Sequence, residues 1–106
     1  MINDQKTILA EIEALLEPGA QTGLAVLEHT LTAGYAAALM LEAERWLLER
    51  RIAEAAGLLG EGDGRGKTQE IAKLARRLAD AEGEIVHLRT RLATLRERTD
   101  EARAAA

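Results

Sequence analysis

From Ile71 to Ala102 the chain carries an apolar or small residue at alternating intervals of three and four: Ile71, Leu74, Leu78, Ala81, Ile85, Leu88, Leu92, Leu95, Thr99 and Ala102. This spacing keeps one seam of a helix facing a partner helix over its whole length. Ala, Leu, Glu, Arg and Lys supply 66 of the 106 residues, Phe is absent, and Tyr35 and Trp46 are the only aromatics. Such a composition fits long helices and argues against a β-sandwich or barrel, which draws on β-branched and aromatic residues. The expected fold class is all-α.

Pro18-Gly19 and the run Gly60-Glu61-Gly62-Asp63-Gly64-Arg65-Gly66 punctuate a chain that otherwise favours helix. The sequence therefore predicts one helical domain over 1–106, with helices at 3–17, 20–59 and 67–104 and a glycine-rich loop at 60–66. Asn3 or Asp4 can cap the first helix, and Ile8, Leu9, Ile12, Leu15 and Leu16 form its apolar stripe. The second and third helices match in length at roughly 55–60 Å, against about 20 Å for the first.

The second helix has its own seam in Leu24, Leu27, Leu31, Gly34, Ala38, Leu41, Arg45, Leu48, Ile52, Ala55 and Leu59. Folding the chain back about Asp63 makes neighbours of residues whose numbers sum to 126, such as Gly34 with Leu92 and Arg45 with Ala81. Small residues then repeatedly meet large ones, as close packing at a constant interhelical distance requires. A coiled-coil-like antiparallel hairpin is expected, with a parallel homodimer of the third helix as the alternative. Glu28 can approach Arg96 or Arg103, Glu44 can approach Arg77, Arg51 can approach Glu70, and Glu42 lies unfavourably near Glu82. Arg91 and Arg98 are expected to find counter-charge on helix 1, at Glu11, Glu13 or Glu17.

Opposite its first seam, helix 2 carries a second: Val26, His29, Ala33, Ala36, Met40, Ala43 and Leu47, flanked by Leu39 and Trp46. Helix 1 should cover this surface only to about residue 35, given its length. The expected covering is a second subunit laid antiparallel along helix 2, giving a homodimer with a four-helix core. Its interface would be Val26, Ala33, Ala36, Met40, Ala43, Trp46 and Leu47.

The chemical readings are weaker. Gly66-Lys67-Thr68 resembles the end of a phosphate-binding loop, but Glu61 occupies the position five residues earlier where such a loop needs glycine. Glu61, Asp63 and Glu70 give only fragments of a calcium loop. His29 and His87 belong to no zinc pair, and His29 is expected at a buried or interfacial position. There is no Cys or Ser, so thiolate sites, disulfides and serine nucleophiles are excluded. No catalytic residue, cofactor or metal is assigned, no small-molecule substrate is evident, and an enzyme is not expected.

The net charge of −4 and pI near 5.2 disfavour nucleic acid, although Arg89, Arg91, Arg96 and Arg98 offer an anion-binding face to a small regulatory protein. The start, MINDQK, lacks the apolar core of a signal peptide, and the apolar run at 30–41 is short of a membrane span. A cytoplasmic, non-enzymatic interaction module is expected, a homodimeric scaffold or adaptor. Its interaction-class alternative is a monomeric inhibitor, antitoxin or chaperone that holds a foreign helix.

Overall fold

The structure, a computed structural model, describes residues 4–59 and 64–106. Among them are three helices and no strands: α1 (Asp4–Leu15), α2 (Leu24–Gly57) and α3 (Gly64–Ala105). The protein is all-α. Its cap candidate Asn3 and the loop residues Gly60, Glu61, Gly62 and Asp63 lie outside the described residues.

Helix boundaries differ from the sequence expectation for local reasons. Glu17-Pro18-Gly19-Ala20 closes a tight turn in which Ala20 N–H donates to the Glu17 carbonyl at 3.1 Å, with Gly19 at φ +82°. Proline presets the first turn position and glycine alone takes the positive φ of the second without strain. Gly23 is still extended, so α2 begins at Leu24, the first residue of its seam, and not at 20. At the other end Gly64, Arg65 and Gly66 join α3. First-turn positions have no intrahelical N–H bond to lose, which makes glycine tolerable there.

All ten seam residues of α3 are buried or half-buried, and the α2 seam is likewise covered from Leu24 to Ala55, with Leu59 exposed. Contacts between the two helices run in opposite order along them. Arg89 reaches Glu42 at 2.6 Å and Arg103 reaches Glu28 at 3.0 Å, while Gly34 lies against Leu92. Glu42 thus meets a cation in Arg89 where the sequence suggested the repulsive Glu82. One core joins Leu27, Ala38 and Leu41 of α2 to Ile85, Leu88, Leu92 and Leu95 of α3; a smaller one joins Leu48 to Leu74 and Ala81.

Helix α1 packs on both long helices and drives Ile12 fully into the larger core. It reaches further than expected. Leu15 sits beside Leu27, while Gln5 lines grooves with Leu41 and Leu48. The extra reach comes from the later start of α2, which moves the connection to residues 16–23 and lets α1 begin its return from that point. The resulting body is a rod of 64 × 23 × 18 Å with a radius of gyration of 18.7 Å, against about 13 Å for a compact chain of this size.

Two glycines test this packing. A Cβ on Gly34 would strike Leu92 and crowd Ile12, both buried, whereas one on Gly83 meets nothing within 4 Å. Gly83→Ala should therefore raise stability by about 0.5–1 kcal/mol through helix propensity. Gly34→Val should lower it by about 1–3 kcal/mol through overpacking. Urea denaturation of both variants reads the difference; an unchanged midpoint for Gly34→Val would mean the two helices do not press together at this position.

Candidate interaction surface

Helix α2 is apolar on two sides. Its two seams are out of phase by two residues, which turns the second about 200° from the first. The first packs on α3. Along the second, Val26 is 50% exposed, Met40 62% and Leu47 48%, with Leu39 at 63% and Trp46 at 55% beside them. Ala36 and Ala43 are exposed between these and Ala33 is half-buried. His29 is exposed at its lower end.

From His29 to Leu47, about 27 Å of helix, Glu44 is the charged residue at the margin of this surface, where it lines a groove with Met40, Ala43 and Leu47. The other two charges of this stretch are drawn off it, since Glu42 turns to Arg89 of α3 and Arg45 is half-buried in the seam. Neither Glu44 with Arg77 nor Arg51 with Glu70 forms the ion pair the sequence suggested. Charge returns at the ends: Glu28, paired with Arg103, precedes the stripe, and Arg50 follows it, packed over the Trp46 ring at 4.9 Å and 3.7 Å from Glu54. Contiguous apolar surface of this extent marks a contact site on soluble proteins.

The whole-chain surface carries the same message. It amounts to 7133 Å². A compact monomer of 11.5 kDa would expose about 5,800 Å². The excess of roughly 1,300 Å² exceeds the ~800 Å² that each partner buries in a standard interface.

By length and composition α2 also satisfies the requirement for crossing a membrane, contrary to the expectation from residues 30–41 alone; 33% of the qualifying stretch is buried inside the protein. The helix runs apolar from Leu24, with Glu28 as its lone charge before Glu42.

The four arginines do not share one face. Arg89 leans toward α2 and Glu42, whereas Arg91 and Arg98 lean the other way, under α1. Arg91 Nε lies 3.7 Å from Glu13, buried and without a hydrogen bond, and Arg98 donates from Nη1 to the Leu15 carbonyl at 2.9 Å. Arg96 is exposed and forms no ion pair among the described residues. Helix 1 does supply counter-charge to Arg91; for Arg98 it supplies a carbonyl left open at the end of α1, an acceptor that a count of acidic residues overlooks. His87 Nε2 also approaches Glu13, at 3.5 Å. Among the described residues no three His, Asp or Glu side chains converge as a metal site would need. No family model matches the chain, and no curated protein or solved structure is similar enough to bear on what it does.

The arginines separate by their partners. Arg98→Ala should cost about 1–2 kcal/mol, since it removes a charge-assisted hydrogen bond and the packing of its stem beneath α1. Arg96→Ala should change stability by less than about 0.5 kcal/mol. Equal denaturation midpoints for the two would show that α1 is not held at its C-terminal end by Arg98.

Proposed function

We propose that this protein is a non-enzymatic helical interaction module, a homodimeric scaffold or adaptor. Its subunit is an antiparallel coiled-coil-like hairpin of α2 and α3 braced by α1. The observation that carries the proposal is the exposed, largely apolar stripe of α2 from His29 to Leu47, with Glu44 at its margin, on a chain with more surface than its mass calls for. The working surface comprises Val26, Ala33, Ala36, Met40, Ala43, Trp46 and Leu47. A second subunit laid on it brings together four long helices.

Three features support an identical subunit over other occupants. The stripe ends in an acid on one side and a base on the other, so that two copies can complement each other. Its small residues permit close backbone approach, and its large ones supply apolar area without charge. Nucleic acid is the weaker reading, because Arg89, Arg91 and Arg98 are engaged within the chain.

Light scattering across a concentration series should give twice 11.5 kDa. Met40→Glu and Leu47→Glu should each weaken association by about a hundredfold or more, since each buries an unpaired carboxylate. A mass of 11.5 kDa at every concentration would overturn the homodimer and leave the stripe to a foreign helix or a membrane surface. An intact dimer in both variants would place the contact elsewhere.

A further inference from the structure

Resting on the homodimer reading, we infer that the second copy lies antiparallel along α2 in one register, with residues whose numbers sum to 76 facing each other. Three constraints lead there: the two ends of the stripe, the charges that bound it, and its position relative to α3.

Orientation follows from the charges. A parallel copy would set Glu28 beside Glu28 and Arg50 beside Arg50, repulsive at both ends of the stripe. It would also stack Met40 on Met40 and Ala36 on Ala36, which spaces the backbones unevenly. An antiparallel copy brings Glu28 of one subunit near Arg50 of the other at both ends, two residues off the facing layer and within reach of two long side chains. Both side chains are about half exposed, with relative side-chain exposures of 44% and 57%, so each can take a second partner beyond Arg103 and Glu54.

Register follows from the ends of the stripe. Facing layers in an antiparallel pair can shift only by whole heptads if the seams are to stay in contact. With facing numbers summing to 76, His29 meets Leu47, Ala33 meets Ala43, Ala36 meets Met40, and the two Leu39 side chains lie near the two-fold axis. Sliding one heptad one way sets Leu47 opposite Thr22, which precedes α2, and leaves it uncovered. Sliding the other way sets Arg50 opposite Ala33 and Glu54 opposite His29, which brings charge into the apolar stripe. The middle register matches His29 to Leu47 without setting a charge opposite that stretch of the seam, and Val26 beyond it faces the stem of Arg50.

The position of the stripe then fixes the shape of the pair. It faces away from α3, so the four long helices lie side by side, with α3 outermost on each edge and the two copies of α2 in the middle. This is a flat layer and not a square bundle. The two-fold axis that relates antiparallel neighbours stands perpendicular to that layer. Both copies of α1, which sit in the groove between α2 and α3, therefore project from the same side of it.

The chain has no cysteine, so introduced thiols report this geometry without background. Ala33→Cys and Ala43→Cys chains, one isotopically labelled, are mixed at a concentration where light scattering reads dimer and then oxidised. Facing layers bring the two sulfurs within disulfide reach. The expected product is the mixed disulfide between Cys at 33 and Cys at 43, several-fold over either like-with-like product. Like-with-like disulfides, or no cross-link in a sample that remains dimeric, would overturn the register and orientation while the homodimer stands. A sample that stays monomeric would overturn both. Co-flotation of that monomer with anionic lipid vesicles would then assign the stripe to a membrane surface.

Discussion

The rest of the structure depends on the seam of α3. Outside that seam nearly every residue of α3 is exposed and polar or small, so the helix has one place to bury apolar surface and needs a partner as long as the seam. Only α2 is long enough. Once the two lie together, the distance between them is set by pairs such as Gly34 and Leu92, where one side chain fills the room that the other leaves. Helix α1 is secondary to this contact: it closes one side of the pair with Ile12 and is tied down at its end by Arg98.

A consequence falls on α2, which is apolar on two opposite sides. One side is occupied by α3, and the other leaves Met40, Leu47 and their neighbours exposed and gives α2 its resemblance to a membrane span. The resemblance has a cost that hydropathy does not register. Burying the apolar run from Leu24 to Leu41 in lipid would carry Glu28 into the hydrocarbon and strip α3 of the long helix that matches its seam. A second protein helix on the exposed side leaves the α2–α3 contact intact, and two copies of the same stripe provide that without a further partner.

The helical class, the two breakers and the seam residues were legible in the sequence because each depends on local chemistry or on strict periodicity. Gly19 announces its turn, and the spacing from Ile71 to Ala102 names the residues that become buried. The reach of α1 was not legible. It turns on where α2 starts, and that depends on Gly23 staying extended while Gln21 and Thr22 would be acceptable in a helix. The arginines were partly legible: the hairpin register placed Arg91 and Arg98 on the side of α1 and offered Glu11, Glu13 and Glu17 as counter-charge, of which Glu13 meets Arg91. The Leu15 carbonyl as acceptor for Arg98 was hidden, because a backbone group left open at a helix end has no letter in the sequence. The same blindness affects charge pairs, since Glu42 chooses Arg89 over the neighbourhood of Glu82 through side-chain reach that a register of Cα positions does not carry.

The inter-helix ion pairs look as though they set the alignment of α2 and α3, since Arg89 with Glu42 and Arg103 with Glu28 are both separated by two heptads on each helix. They do not. Slipping α3 by one heptad toward the far end of α2 would bring Arg96 to Glu42 and Arg89 to Glu49, two attractive pairs for the two given up. Exposed pairs of this kind contribute only about 0–1 kcal/mol each in either alignment. The slip does change the core. Leu92 would move from Gly34 to Leu41, large against large, while Gly34 would face Thr99 and leave a void between two small residues. Crowding one layer and hollowing the next each cost about 1–3 kcal/mol, more than the charges can offset. Alignment therefore resides in the placement of the glycine and alanines, and the arginines are free to vary along the flanks without moving one helix past the other.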